Sequence, residues 1–457
     1  MRAWLTMVMV TTVGCGAGSA GAGSLPSSQV SAIDEVFARY TAPGSPGCAA
    51  GVYRDGEIVF AKGYGLADLE RNVPITPETI FDLGSTSKQF AAAAIILLAN
   101  EGKLALTDDV RNYVPEVPDY GTTITIDHLL QHTSGLRDYA GLLFLAGHDI
   151  IDATDDADAL EMIASQRGLN FAPGTRWDYS NTGFFLLSVI VERITGKSLR
   201  DFTQERIFTP LGMTRTHFRN DQSEIVRDRA LGYGPRDDGH WRIDLSGWTQ
   251  TGDGGAQSSV VELVKWDRNF IDPKVGGRGL IEKMTEPGTL SNGKPHGYGR
   301  GLFVGKYRGL ERVQHGGVWA GYRAMLMRFP GQKTSIAVLC NAATAQTMAL
   351  AEGIADIVLA DALEAPGAAP AATGNGAVAA TGNHDRLVGT YYSHEARQVL
   401  RVASSGDTLT VRFGQVAQPL RMTGPSQYAL GGTTLEFLPG NGPADTLRTT
   451  HAVGVEQ

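Results

Sequence analysis

The chain has 457 residues, of which 42% are hydrophobic, so it can bury a large core and is expected to form more than one domain. Its formal net charge is −8 and it has no basic run, which argues against a nucleic-acid-binding protein.

The first segment, residues 1–22, is predicted to be a signal peptide. Arg2 precedes an apolar stretch too short to span a bilayer, and small residues suited to signal-peptidase cleavage follow. We interpret a Gly-x-Gly-x-x-Gly spacing at Gly16–Gly21 as coincidence, because no helix is expected to begin there. Lipid attachment at Cys15 is the less favoured alternative, since the bulky aliphatic residue three positions earlier is missing. We expect an exported protein, periplasmic or secreted, whose mature chain has no transmembrane span.

The next region, residues 30–361, is predicted to be the catalytic domain. An amphipathic helix begins at Val30 and is followed by a hairpin with Asp55-Gly56 at its turn. Helices and loops dominate from Ser85 to about Asn220, and strand-like runs return nearer the end. This order predicts an α+β fold: an antiparallel sheet built from both ends of the domain and flanked by helices, with a mostly helical subdomain inserted.

The rest of the chain is predicted to be an appendage. Residues 362–383 are rich in Pro, Ala and Gly, have no apolar periodicity and are predicted to form a linker. Residues 384–457 contain short alternating runs and are predicted to form a small all-β, barrel-like module. Its role and the oligomeric state of the protein stay open.

Two cysteines remain after removal of the signal, Cys48 and Cys340, both in strand-like surroundings. An exported pair can form a disulfide, but sequence alone does not show that two strands bring their Cβ atoms within reach. Two separately buried thiols are an equally weighted alternative.

A candidate nucleophile lies where an apolar helix begins. Ser85 and Lys88 are three residues apart, so they share a helix face, while Ser87 points away. Free backbone N–H groups at a helix start favour a developing negative charge. Ser85 thus has a base within reach and half an oxyanion hole. Lys88 needs a pKa depression of about three units to be a free base at neutral pH, and the buried helix favours desolvation.

Two further segments supply candidate partners. Tyr179 and Asn181 precede another apolar helix, and a tyrosine beside a lysine cation is expected to have a lowered pKa and to share one mobile proton with it. The run His315-Gly316-Gly317 enters a strand, where glycines let a ligand lie close to the backbone. The Val318 N–H is a candidate second oxyanion donor.

These segments, in this order, resemble the serine β-lactamase and penicillin-binding-protein superfamily, in particular its class C β-lactamase-like branch, which includes D-alanyl-D-alanine carboxypeptidases, D-aminopeptidases and esterases. The likeness runs from about Val30 to Asp361 and is carried by FDLGSTSKQF, ITIDHLLQHTSGL, PGTRWDYSNTGFFLL, GDGGAQSSVVELVKW and HGGVWAGY. It implies a β-lactamase/transpeptidase-like fold, a small-molecule or peptide substrate, and no cofactor or metal. The roles it implies are acylation at Ser85, proton transfer by Lys88 and Tyr179, substrate orientation by Asn181, a third motif at His315, Gly316, Gly317 and Val318, and oxyanion amides at Ser85 and Val318.

The chain departs from the β-lactamases in that third motif. They usually have a lysine and then a hydroxyl residue, whereas this chain has His315 and Gly316. A histidine with a pKa near 6.5 is mostly neutral at pH 7.5, so we expect a weak, pH-dependent anchor for a substrate carboxylate. We therefore expect poor β-lactam turnover and a preference for D-aminoacyl amides or esters, with a carboxypeptidase or β-lactamase as the alternative.

Three other protein classes agree less well with the sequence. An α/β-hydrolase needs a Gly-x-Ser-x-Gly elbow, which the chain lacks. His128 and His132 have the spacing of a zinc pair, but a leucine replaces the glutamate that zincins need after the first histidine. A non-catalytic cell-envelope binding protein with the same fold is the remaining alternative, and acylation of Ser85 would distinguish it.

Overall fold

A computed structural model describes residues 23–365 and the strands between residues 387 and 451, namely 387–393, 398–405, 408–413, 416–424, 427–430, 433–438 and 446–451. The signal segment 1–22, with Gly16–Gly21 and Cys15, and most of the linker 362–383 lie outside the described residues. These assignments and the domain boundaries stay predictions. In the parts described, no helix is both long enough and apolar enough to cross a membrane.

The described helices are α1 (Ser27–Val36), α2 (Lys88–Asn100), α3 (Ile126–Leu130), α4 (Tyr139–Leu145), α5 (Asp156–Ala164), α6 (Asn181–Thr195), α7 (Leu199–Thr203), α8 (Thr209–Leu211), α9 (Val260–Ile271), α10 (Gly277–Thr285) and α11 (Thr347–Val358). The described strands are β1 (Cys48–Arg54), β2 (Glu57–Tyr64), β3 (Leu66–Asp68), β4 (Val73–Pro74), β5 (Phe81–Asp82), β6 (His217–Phe218), β7 (Tyr233–Pro235), β8 (Trp241–Ile243), β9 (Ala256–Ser258), β10 (Phe303–Tyr307), β11 (Leu310–Trp319), β12 (Tyr322–Phe329), β13 (Thr334–Cys340), β14 (Gly389–Ser393), β15 (Gln398–Ser405), β16 (Thr408–Phe413), β17 (Val416–Gly424), β18 (Gln427–Leu430), β19 (Thr433–Leu438) and β20 (Thr446–His451).

The main sheet joins the two ends of the catalytic domain. Its six strands run in the order β10-β11-β12-β13-β1-β2, and β1 pairs antiparallel with β13. The turn between β1 and β2 holds Asp55 at φ 51° and Gly56 at φ 76°, the left-handed values that a tight hairpin turn requires. The predicted α+β fold, with its helical part inserted into the sheet, is confirmed.

Both faces of this sheet are buried. Alternate residues of β13 face opposite sides: Ile336 and Val338 pack with the cluster that includes α1 and α11, and Ala337 and Leu339 pack with the larger helical core. Helix α2 lies inside that larger core and is buried from Lys88 to Leu98. Lys88 thus lies at the buried N-terminal end of an apolar helix.

A second sheet is formed by the described strands after residue 387. Strands β14 to β20 pair antiparallel in chain order, which agrees with the all-β character expected of the module. Among the described residues β14 and β20 do not pair with each other, so closure into a barrel stays a prediction.

The structure resolves the question left open for the cysteines. Cys48 and Cys340 lie opposite each other in the β1–β13 ladder and form a disulfide. The bond joins positions 292 residues apart. It therefore links β1 and β13, which are the first and the last strands of the main sheet in chain order.

Removing this disulfide should lower the free energy of unfolding. We expect the Cys48→Ala/Cys340→Ala variant to lose about 2–5 kcal/mol, because the bond closes a long loop in the unfolded chain. Urea unfolding of the oxidised protein, the reduced protein and the double variant measures the loss. The reduced protein should match the variant, and equal stability of the oxidised and reduced proteins would contradict the expectation.

Candidate active site

Ser85 lies in a tight turn between β5 and α2. The turn spans Gly84–Ser87, and the Gly84 N–H donates to Asp82 Oδ1 at 2.8 Å. Ser85 is half-buried and faces a cleft of about 1300 Å³. Its hydroxyl is therefore open to a ligand, while the residues after it enter the core.

Lys88 is fully buried behind this serine. Its ammonium group donates to Ser85 Oγ at 3.0 Å, to Asn181 Oδ1 at 2.8 Å and to the Asp253 backbone oxygen at 2.6 Å. Burial lowers the pKa of Lys88 to about 8, although the charges of Asp253 and Asp138 oppose the shift. This agrees in direction with the depression expected from the sequence.

Tyr179 meets Lys88 through its ring rather than its hydroxyl. Lys88 Nζ lies 4.8 Å from the centroid of the Tyr179 ring, and the centroid of the His132 ring lies 4.1 Å from it. Burial raises the pKa of Tyr179 well above 10, and the Ser85 hydroxyl only partly offsets this. Among the described residues, no hydrogen bond of good geometry reaches the Tyr179 hydroxyl. The expected lowering of the tyrosine pKa is wrong, because desolvation outweighs the neighbouring charge.

His315 is buried beside the candidate catalytic residues, with its ring centroid 6.3 Å from that of Tyr179, and its role in substrate binding stays a prediction. It pairs with Leu326 of the helical core across β11 and β12, and its ring is fully buried. Nδ1 lies 2.6 Å from the Gly316 carbonyl oxygen, which can only accept, so Nε2 is left to accept from the Tyr298 hydroxyl at 3.0 Å. Burial, aided by the charge of Lys88, lowers the pKa of His315 to about 3.

His315 should therefore have no influence on a pH profile between pH 6 and 9. Its pKa is lowered, so the charged form appears only as the pH falls toward 3 and the ring is neutral throughout that range. NMR of histidine-labelled protein, with the signal assigned by its loss in His315→Gln, should show no titration of this ring. A titration midpoint near 6.5 would contradict the burial argument.

The glycines beside His315 allow the Ser85 turn to lie against β11. A Cβ atom on Gly317 would lie 1.9 Å from the Leu83 oxygen, and one on Gly84 would lie 2.8 Å from Val318 N. Gly316, Gly317 and Val318 all line the cleft with Ser85. The two amides expected to form the oxyanion hole therefore belong to segments in direct contact.

Three residues near Lys88 were missed by the sequence analysis. Asp253 accepts from the Tyr139 hydroxyl at 3.0 Å, and burial raises its pKa to about 6. Asp138 accepts the Asn181 N–H at 2.5 Å and so fixes the start of α6. Asp253 lies between glycines in the segment GDGGAQ and lines the cleft. An acidic residue in such a glycine-rich segment was the sequence feature that could have identified it.

The two histidines with zinc-like spacing have separate roles. His128 forms a capping box with Thr125 at the start of α3, and its Nδ1 accepts the Thr125 N–H at 3.2 Å. His132 Nδ1 accepts the Ser180 N–H at 3.2 Å. No group of three or more metal-ligating side chains occurs within the described ranges.

The sheet, the inserted helices and the Ser85–Lys88 pair define a β-lactamase/transpeptidase-like protein. The Beta-lactamase family model matches residues 33–361, and the chain belongs to this family. It is 31% identical over 329 residues to a D-aminopeptidase of Gluconobacter oxydans, covering 71% of this chain and 61% of that relative. It is 31% identical over 397 residues to a D-aminopeptidase of Cereibacter sphaeroides, covering 84% and 69%.

A solved structure gives the same fold. The octameric penicillin-binding protein homologue from Pyrococcus abyssi superposes with a TM-score of 0.66 at 26% identity, covering 91% of this chain and 94% of that one. By contrast, the chain spans only about three fifths of the length of the Gluconobacter relative.

Proposed function

We propose that this chain is an exported serine hydrolase that cleaves an amide or ester bond through an acyl-Ser85 intermediate, with D-aminoacyl amides, peptides or esters as substrates. The hydrogen bonds of Lys88 carry the proposal. Two of its three partners, Asn181 Oδ1 and the Asp253 carbonyl oxygen, can only accept. When Lys88 is neutral, its two N–H bonds stay with these acceptors and its lone pair points to Ser85.

The reaction then proceeds in two balanced halves. Ser85 Oγ attacks the substrate carbonyl carbon as its proton passes to Lys88 Nζ, and the amides of Ser85 and Val318 hold the oxyanion. The bond to the leaving group breaks as that group takes up a proton, delivered from Lys88 or through the protonated Tyr179 hydroxyl. Water then attacks the acyl carbon and gives a proton to Lys88. The bond between that carbon and Ser85 Oγ breaks as Lys88 passes the proton to Oγ, which releases the acid and restores Ser85 and neutral Lys88.

The substrate class rests on two observations. The relatives from Gluconobacter oxydans and Cereibacter sphaeroides are D-aminopeptidases by name. The neutral, buried His315 leaves the third motif without a cation for the carboxylate of a β-lactam. We expect Asn181, whose side-chain oxygen accepts from Lys88, to orient the substrate amide.

Paired substrates test the proposal. We expect D-alanyl-p-nitroanilide to be hydrolysed at least about a hundredfold faster in kcat/KM than its L isomer, and penicillin G and a cephalosporin to be hydrolysed slowly. Equal turnover of both isomers, or efficient β-lactam hydrolysis, would overturn the assignment of substrate. Mass spectrometry of the N-terminus after expression in a Gram-negative host tests export, since the mature chain should begin close to residue 23.

A further inference from the structure

Two arginines on one wall of the cleft have no carboxylate partner. Arg219 follows β6, and Arg229 lies beside Ile80, just before β5. Both are half-buried and line the cleft that contains Ser85. Within the part of the chain that the structure describes, Arg229 forms no hydrogen bond or ion pair. Arg219 donates to the side chain and carbonyl of Gln222, and its buried Nε has no partner.

Arg242, which lines the same cleft, differs from these two arginines because it has a carboxylate partner. Arg242 forms an ion pair with Asp244 at 3.5 Å. The two unpaired guanidinium groups instead repel each other: burial and the charge of Arg229 lower the pKa of Arg219. Groups of like charge that are held together in this way gain most from an anion placed between them.

Asp82, the acidic residue near both arginines, already accepts hydrogen bonds from other groups. Asp82 accepts the Gly84 N–H and the Gln257 side-chain N–H, each at 2.8 Å, and burial raises its pKa to about 6. The charges of Arg229 and Arg219 oppose that shift without forming an ion pair with it. Asp82 also precedes Ser85 by three residues in the same strand and turn, so this wall adjoins the nucleophile.

We propose that Arg219 and Arg229 form an anion-binding subsite that selects substrates carrying a carboxylate. The inference rests on the proposed function and deepens it. A guanidinium group binds a carboxylate through two parallel hydrogen bonds, and the third motif supplies no competing cation. The carboxylate has two sources in a D-aminoacyl peptide: an acidic side chain on the acyl part, or the C-terminus of the leaving group.

Two matched substrate pairs distinguish these sources. The acyl pair is D-glutamyl- and D-glutaminyl-p-nitroanilide, and the leaving-group pair is D-alanyl-D-alanine and D-alanyl-D-alaninamide. We expect the anionic member of one pair to have about a tenfold higher kcat/KM, since each pair differs in charge but little in shape. Raising the salt concentration should reduce this preference. Equal kcat/KM within both pairs would overturn the subsite.

Three variants locate the effect. Arg229→Gln should lower kcat/KM about tenfold for the preferred anionic substrate and leave its neutral partner unchanged, and Arg229→Lys should retain part of the preference. The exposed Arg227→Gln is the matched control, since it removes the same charge outside the cleft and should change neither substrate. Thermal unfolding confirms that each variant is folded. An equal loss on both members in Arg229→Gln would assign the residue a structural role.

A binding measurement separates failure of the subsite from failure of the proposed function. Calorimetry on Ser85→Ala with N-acetyl-D-isoglutamine, which keeps only the side-chain carboxylate, and with the uncharged N-acetyl-D-glutaminamide should show tighter binding of the anion, lost in Ser85→Ala/Arg229→Gln. If the wild-type protein turns over neutral substrates but neither assay detects a charge preference, the subsite is wrong and the hydrolase stands. If no substrate acylates Ser85 while the anion still binds at Arg229, the subsite stands and the hydrolase is wrong.

Discussion

Replacing Ser85 with alanine should abolish the stoichiometric burst that the wild-type protein gives with a p-nitrophenyl ester. The hydroxyl of Ser85 is the group that faces both the cleft and Lys88 Nζ, so its removal leaves no nucleophile in reach. We expect kcat/KM to fall by at least about 10⁴-fold, as in other serine enzymes that lose the attacking oxygen. Intact mass of the acid-quenched wild-type protein should show one acyl adduct, mapped to Ser85 by peptide digestion.

Ser87→Ala is the matched control for this experiment. Ser87 is fully buried two residues away, and its hydroxyl accepts the Ala256 N–H at 3.0 Å. This variant should be less stable but should keep one acyl group per chain. An adduct that persists in Ser85→Ala would place the nucleophile elsewhere. The absence of burst and adduct in the wild-type protein between pH 6 and 9 would favour the non-catalytic binding protein.

Much of the fold was predictable because it depends on local patterns. Alternating apolar residues and the Asp55-Gly56 turn predicted the hairpin, and strands at both ends of the domain predicted the shared sheet. The spacing of Ser85 and Lys88 before an apolar helix predicted a serine with a buried base. The hairpin and the serine–lysine pair depend on residues close together in the chain, and the shared sheet was inferred from the order of strand-like runs alone.

The remaining features depend on contacts between distant segments. The burial of His315 was unpredictable, because it depends on contacts with Tyr298 and Phe303 from a different segment. The Cys48–Cys340 bond required the register of β1 on β13. Arg219 and Arg229 belong to loop segments that are brought to the same cleft by β5, β6 and β9 and by the Arg215–Asp228 ion pair. No spacing in the sequence brings these residues together.

Replacing Lys88 with methionine should remove the proton acceptor while keeping a side chain of similar length in the core. We expect kcat/KM to fall about 10³-fold, within the range for loss of a general base. In the wild-type protein the rate should rise with pH through about 8, the lowered pKa of Lys88, because only the neutral amine accepts the proton of Ser85. About a tenth of the molecules hold neutral Lys88 at pH 7, against about 0.04% for an ordinary lysine.

Lys88→Arg distinguishes a base from a fixed positive charge. Arginine keeps the charge near the oxyanion but stays protonated, so the variant should be as inactive as Lys88→Met, and thermal unfolding should show that both are folded. Retained activity in Lys88→Arg would assign Lys88 an electrostatic role instead. Burial raises the pKa of Asp253 to about 6, so its ionisation should change the rate at a lower pH than that of Lys88 does. Asp253→Asn should remove this second change from the pH–rate profile. A limb near pH 8 that survives in Lys88→Met would contradict the assignment, because the pKa of Tyr179 lies well above 10 and that of His315 near 3.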